Sequence, residues 1–368
     1  MNTPIDATDS FIAPEEALKR LTEPLLAWYD KNARILPWRE NPAPYRVWVS
    51  EIMLQQTRID TVIPYFHRFM AALPDITALA QAEENVLLKL WEGMGYYARV
   101  RNMQRAARAM LARYNGEVPA SYPQLLGLPG IGEYTAGAIA SIAYQIPVTA
   151  VDGNVLRVMA RLLACREDIT QNSVRKSLRS AVESMLSKER PGDFNQAMMD
   201  MGATVCLPNT LPRCELCPIR EGCAGYAQGI AADLPVKTPA KRRTIQQRTI
   251  LVIISRGKAL LRQRPAAGLL AGLWEFPNQE GHLTENEAAA LVRQWGFSPD
   301  SIRKLQDAKH VFTHIEWYMQ GYLIYVREAL PGPEGFWTDE EAIGAEYALP
   351  SAFKPYSRYL NRWLRESM

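Results

Sequence analysis

Leu128-Pro129-Gly130-Ile131-Gly132, followed at once by Glu133-Tyr134-Thr135-Ala136-Gly137-Ala138-Ile139-Ala140-Ser141-Ile142-Ala143-Tyr144, decides how the first half of this chain folds. Ser121 to Gly127 reads as a short helix, 128–132 as a glycine-bearing hairpin and 133–144 as a helix of small residues. Glycines at 130 and 132 let the backbone come close to a partner. The following helix offers unpaired N–H groups and the positive end of its dipole. Such a segment is either a phosphate cradle made of backbone or a plain helix–turn–helix corner.

Working outward, Ala150-Val151-Asp152-Gly153-Asn154-Val155 precedes a helix carrying Arg157 and Arg161. Asp152 has the plain role of an N-cap. Helix-end N–H groups would keep it ionised. In the other direction lies Val47-Trp48-Val49-Ser50-Glu51-Ile52-Met53-Leu54-Gln55-Gln56-Thr57, where Glu51 shares a helix face with Val47, Trp48 and Leu54. Burial there raises a carboxyl pKa and suits it to donate a proton near neutral pH, unless the residue is only a hydrogen-bonded glutamate at the core edge. A raised Glu beside an ionised Asp is the split pair that glycosidic-bond cleavage uses.

Four of the five cysteines, Cys206, Cys214, Cys217 and Cys223, are separated by seven, two and five residues. That is too few for a disulfide scaffold and reads as a metal site. Structural zinc with four thiolates uses two short knuckles and only one is present, so a 4Fe–4S cluster suits the loop better than zinc. Arg213 and Arg220 project beside it, either as phosphate contacts or as solvated charges.

The 368-residue chain, 48% apolar, is long enough for two domains. Residues 1–225 hold 24 Lys and Arg against 24 Asp and Glu, 226–249 five against one, and 250–368 13 against 14. Bulk charge therefore gives no argument for nucleic acid; local patches must. The start, Met1 to Glu16, has no basic and apolar signal-peptide pattern, and no run is long enough to span a membrane, which points to a reducing cytoplasmic location. Helical patterns fill 15–228. Residues 229–248, with two prolines and Lys241-Arg242-Arg243, have linker properties, and 249–368 mixes strands at 249–255 and 315–326 with a helix at 285–294, an α+β domain.

Taken together, Ser50-Glu51-Ile52-Met53-Leu54-Gln55-Gln56-Thr57, the hairpin, Val151-Asp152-Gly153-Asn154-Val155 and the cysteine loop, in this order, resemble the adenine glycosylases of the endonuclease III superfamily. Leu36-Pro37-Trp38-Arg39, Trp91-Glu92-Gly93-Met94-Gly95-Tyr96-Tyr97 and Phe194 to Gly202 extend the likeness over about Leu21 to Tyr356. The resemblance implies an all-α helix-hairpin-helix domain with an iron–sulfur loop, then a Nudix-like domain that recognises 8-oxoguanine. It implies that Glu51 protonates a flipped adenine and that Asp152 stabilises, or briefly bonds to, the sugar carbon. Tyr96 matches the family's wedge, with Gln56 beside it. Trp38, Arg39 and Leu54 match the adenine pocket, and Thr57, Leu128, Gly130 and Gly132 match DNA contacts. The implied partner is double-stranded DNA with 8-oxoguanine:A or G:A mispairs, bound by a monomer in a bacterial nucleoid.

Relatives that also cut the strand carry a nucleophilic lysine two residues past the hairpin's last glycine; here that residue is Tyr134, so no Schiff base forms by that route. Tyr134 is expected to support the Asp152 side of the site. In the second domain, the positions that hold metal-binding glutamates in Nudix enzymes are Ala290, Arg293 and Gln294, which predicts a reader and not a second enzyme. The family's Phe-Ser-His turn is here Phe312-Thr313-His314, and Leu207 to Arg213 is one residue longer than the common spacing. Two other readings stand beside this one: a thymine-mismatch or oxidised-pyrimidine glycosylase on the same scaffold, and a non-catalytic damage sensor.

Overall fold

A computed structural model describes residues 15–239, 242–329 and 335–368. The first fourteen residues and Lys241 of the basic run lie outside the described residues. The chain forms two compact units, one of residues up to Gln81 together with Asn102–Pro239, the other of Ala82–Arg101 together with Ala240–Met368.

The division differs from the sequence expectation in two places. Residues 82–101, expected in the helical domain, belong to the second unit: Lys89 Nζ donates to the carbonyls of Ile343 at 3.1 Å and Tyr347 at 3.3 Å, and Glu92 accepts from the Leu349 N–H at 2.8 Å. Residues 229–239, expected as linker, continue the first unit. The Leu234 carbonyl accepts from Arg161 at 2.9 Å and the Val236 carbonyl from the Ile169 N–H at 3.1 Å. Both differences rest on bonds to main-chain groups, which leave no mark on composition.

In the first unit, the helices Thr22–Asn32, Gly153–Leu162, Asn172–Met185 and Pro191–Thr204 close around one core that includes Leu25, Leu26, Val155, Met159, Leu178, Phe194, Met198 and Met201. The Pro44–Leu54 helix starts with proline in its first turn, where a missing N–H costs nothing, and is buried from Val47 through Met53. The Glu133–Tyr144 helix explains its own small residues: a Cβ at Gly137 would lie 2.1 Å from the Thr149 carbonyl oxygen. The strap before Asp152 can therefore press directly on that helix. Asn195, itself buried, fixes the strap by accepting from the Ala150 N–H at 2.9 Å and donating to the Val148 carbonyl at 2.9 Å.

The second unit is built on a mixed sheet of β1 (Thr244–Ser255), β2 (Lys258–Gln263), β3 (Trp274–Glu275), β4 (Asn278–Glu280), β5 (Pro299–Val311), β6 (Ile315–Val326) and β7 (Phe336–Thr338). The order is β3-β2-β1-β6-β5, with β4 paired to β1 and β7 to β2. β1 and β6 run parallel from Thr244 opposite Ile315 to Ile254 opposite Tyr325. Alternation along β1 sends Ile250, Val252 and Ile254 to a core with Phe353, Tyr356 and Trp363, and Leu251 and Ile253 to one with Ala288 and Val292 of the Glu285–Gln294 helix. The α+β expectation holds, with β1 beginning five residues earlier than 249. Among the described residues no helix is long and apolar enough to cross a membrane.

Candidate active site

Glu51 sits deep in the Pro44–Leu54 helix, 5% exposed, and accepts a hydrogen bond from the Tyr134 hydroxyl at 2.5 Å. Burial raises its pKa to about 7; the Tyr134 bond opposes that shift, the charge of Asp152 adds to it and Arg39 opposes it. Tyr134, whose hydroxyl also lies 3.2 Å from the Met199 sulfur, thus supports Glu51 directly.

Asp152 is the N-cap of the Gly153–Leu162 helix and also a neighbour of Glu51, so its plain role and its candidate role coincide. One carboxylate oxygen accepts from the Val155 N–H at 2.8 Å and the other from the Asn154 side chain at 2.7 Å. The expectation that helix-end groups hold it low needs correction. Burial pushes its carboxyl above the usual range, against the bonds from Val155 and Asn154 and the charge of Arg157. The Asn154 side-chain oxygen Oδ1 accepts from Arg157 at 3.0 Å, and Arg157 also donates to the Cys206 main-chain carbonyl at 2.9 Å.

A cavity of about 440 Å³ opens over Glu51 and Tyr134, and Trp38, Arg39 and Leu54 line it. Trp38 is fixed there edge-on to Phe66, with ring centroids 5.4 Å apart. Arg34, Gln196 and Met199 share the lining and had no role in the sequence reading. Gln196 stood inside a motif already noted, Phe194 to Gly202, so a signal for it existed; Arg34 had none.

The hairpin places Leu128 in the core and Gly130 at φ +76°, where a Cβ would come within 2.6 Å of the Asn102 Cβ. Only glycine suits that position. Gly132 starts the 12-residue helix with no side-chain cap and with open space where a Cβ would point. Gln56 is exposed with φ +57°, and Thr57 follows it, bonded to the Gln55 carbonyl at 3.4 Å.

In the second unit, Tyr96 is half exposed with φ +48°, and its hydroxyl meets the Thr313 hydroxyl at 3.0 Å. Arg99 lies over the Tyr96 ring, 5.4 Å from its centroid. Phe312-Thr313-His314 is the turn joining β5 to β6. The Phe312 N–H donates to the Ile315 carbonyl at 2.8 Å, the His314 carbonyl accepts from the Thr244 N–H at 2.9 Å, and the Phe312 ring packs edge-on to Trp317. Tyr96 and this turn are thus neighbours. On the Glu285–Gln294 helix, Glu287 is committed to a capping box with Thr284, and Ala290, Arg293 and Gln294 carry no carboxylate.

The four cysteines line one cavity of about 310 Å³ together with Arg161, Arg213 and Arg220. Arg161 Nη1 stands 3.2 Å from the Cys206 sulfur. Among the described residues no three His, Cys, Asp or Glu side chains converge closely enough to hold a single ion. The sulfurs surround a space instead.

Known proteins place this geometry. The model of HhH-GPD superfamily base excision DNA repair proteins matches residues 49–184, and that of the NUDIX domain matches residues 249–358. The adenine DNA glycosylase of Schizosaccharomyces pombe is 34% identical, with 89% of this chain and 87% of that protein covered. The adenine DNA glycosylase of Rattus norvegicus is 33% identical, with 98% and 82% covered. Among solved structures, a thermostable thymine-DNA glycosylase superposes with a TM-score of 0.53 at 26% identity, covering 58% of this chain and 98% of that one. A non-covalent endonuclease III–DNA complex shares the fold, with a TM-score of 0.51 at 23% identity over 60% of this chain and 99% of that one. On the strength of the matches that run through both units, the chain belongs to the adenine DNA glycosylase family.

Proposed function

We propose that this chain is a monofunctional DNA glycosylase that hydrolyses the N-glycosidic bond of adenine mispaired with 8-oxoguanine or guanine in double-stranded DNA. The observation that carries the reading is Glu51, a buried acid whose pKa of about 7 keeps it half protonated at neutral pH on the wall of a cavity lined by Trp38, Arg39 and Leu54. Adenine is a poor leaving group as an anion. Glu51 donates its proton to a ring nitrogen of the flipped base as the bond to C1′ breaks and the electron pair leaves with adenine. The positive charge left on the deoxyribose falls to Asp152, acting by charge or by a transient bond to C1′. Water then adds to C1′ and its proton restores Glu51. Tyr134 offers a hydroxyl where an amine would be needed for strand cleavage, so the product is an abasic site.

Cys206, Cys214, Cys217 and Cys223 would hold a 4Fe–4S cluster, which ties the irregular loop to the Gly153–Leu162 helix through Arg157 and Arg161 and takes no part in the bond cleavage. The uncapped helix start at Gly132 supports phosphate binding by backbone N–H groups. The turn 312–314, with Tyr96 beside it, supports recognition of the oxidised guanine by the second unit, acting as a reader. The protein would act as a monomer on the bacterial nucleoid.

Single-turnover assays on a short duplex with adenine opposite 8-oxoguanine, with and without alkali, test this, with A:T and T:G duplexes as controls. We expect alkali-dependent cleavage of the adenine mispair and at least about a thousandfold loss in Glu51→Gln, the scale on which removal of an essential catalytic group acts. Strand cleavage without alkali, or full activity in Glu51→Gln, overturns the reading; tight binding without release favours the sensor.

A further inference from the structure

The 440 Å³ cavity presents a problem of charge. Its lining carries two guanidiniums, Arg34 and Arg39, together with the carboxyl of Glu51, which must stay protonated to serve as an acid. A free arginine there would pair with Glu51 and strip its proton. The structure answers this from behind the wall with Asp200, which is fully buried on the Pro191–Thr204 helix. Arg39 donates to both of its oxygens, at 2.7 and 2.9 Å. Arg34 donates through Nε at 2.9 Å, through its backbone N–H at 3.3 Å and through Nη2. Arg39 is further bonded to the Arg34 carbonyl at 3.3 Å, and its guanidinium lies 5.8 Å from the centre of the Tyr29 ring.

Resting on the proposed role of Glu51, we infer that Asp200 is a positioning residue for the acid: by holding the guanidiniums of Arg39 and Arg34 on its own carboxylate, it keeps them from forming an ion pair with Glu51. The other groups that face Glu51 are Tyr134 from the Glu133–Tyr144 helix and Asp152 from the turn before Gly153. Neither supplies a positive charge. Burial works against the charge on Asp200, but the bonds from Arg39 and Arg34 outweigh it and hold its carboxyl below the usual range. One cavity wall thus keeps one acid ionised so that its neighbour can stay neutral. The same two arginines remain available, as fixed donors, to the edge of a bound base.

The test is the pH profile of single-turnover base release by the full-length protein, which a merely structural role of Asp200 would not displace. Wild type should lose rate as pH rises through about 7, where Glu51 gives up its proton. Asp200→Asn frees a cation to act on Glu51, and an opposite charge at such range lowers a carboxyl pKa by about one unit or more. The alkaline midpoint should move down by that amount. At pH 7.5 the rate should then fall about eightfold, and at pH 5 by less than about twofold. Asp200→Asn/Arg39→Met should bring the midpoint back toward wild type. A rate lowered equally at every pH with an unmoved midpoint overturns the inference. Should Asp200→Asn not fold, Arg39→Gln carries the test alone, because an arginine already neutralised by Asp200 should shift the midpoint by less than about half a unit. A rise of one unit or more overturns the inference. Failure of the underlying reading looks different: wild type would lack the alkaline limb, or Glu51→Gln would retain activity.

Discussion

Asp200 in the helical unit and Glu275 in the sheet unit are built alike and do different work. Each is buried, at 0% and 1% exposed, and each is held by two arginines. Arg262 donates to one oxygen of Glu275 at 2.8 Å and Arg264 to the other at 2.5 Å. The difference lies in what else those arginines face. Arg264 lies over the ring of Trp317, 5.7 Å from its centre, as does Arg248 at 5.2 Å. Arg34 and Arg39 line a cavity shared with a second acid. A buried ion pair is weak evidence for stability and by itself says nothing of function; its neighbours decide.

The two ion pairs should differ most in what their loss does to stability. Removing the charge of Glu275 leaves two arginines in a buried site, so Glu275→Gln should cost about 3–5 kcal/mol in urea unfolding of the second unit. At a permissive temperature the pH midpoint of base release should stay where wild type has it. A moved midpoint would mean that Glu275 also tunes the acid and that the two pairs are not distinct.

Next in size comes the cost of keeping Glu51 neutral. Its folded-state pKa, raised from 4.5 to about 7, lies above that of the unfolded chain. Its contribution to stability is therefore complete below pH 4.5 and is lost as pH rises through 7. Glu51→Gln can still accept the Tyr134 bond and has no charge to bury. It should be more stable than wild type by up to about 3 kcal/mol at pH 8 and nearly equal to it at pH 4.5. Asp200, with its pKa lowered, has the opposite sign, and its stabilisation fades toward acid. Denaturant melts of wild type and Glu51→Gln at the two pH values would show it, and a variant less stable at pH 8 would contradict the burial argument.

How much of this was legible depended on whether a residue's role was local. The hairpin could be read because Gly130 answers a backbone demand written in five consecutive residues. β6 could be read because, buried against a core on each face, it is rich in the Ile, Val, Tyr and Trp that strands favour. Glu51 stood out because its neighbours on the helix are apolar, and the missing Nudix carboxylates because a box position is either acidic or it is not. Asp200 could not be found, since a lone aspartate on an amphipathic helix reads as solvated until arginines 161 and 166 residues away close on it. Arg34 was hidden for the same reason. The shift of Asp152 was misjudged because the sequence displays its cap and not its burial. Residues 82–101 held a readable motif around Tyr96 but nothing that set them apart from the helical domain, and their place in the second unit depends on Lys89 reaching the Ile343 and Tyr347 carbonyls.

The smallest effect concerns the second unit's turn. Thr313 replaces the serine of the family pattern and keeps a hydroxyl, which meets the Tyr96 hydroxyl at 3.0 Å in an exposed setting. An exposed neutral hydrogen bond contributes about 0.5–1.5 kcal/mol, and the added methyl stiffens the side chain at χ1. Thr313→Val keeps the shape and removes the bond, so overall stability should change by less than about 1 kcal/mol. If the hydroxyl also serves the reader, discrimination between 8-oxoguanine:A and G:A duplexes should fall by about three- to tenfold, with the rate on bound substrate and its pH midpoint unchanged. Thr313→Ser should keep both the bond and the discrimination. Equal discrimination in all three proteins would reduce the Tyr96–Thr313 contact to a structural one, of the kind Glu275 makes, and would move the reading of the lesion elsewhere in the turn.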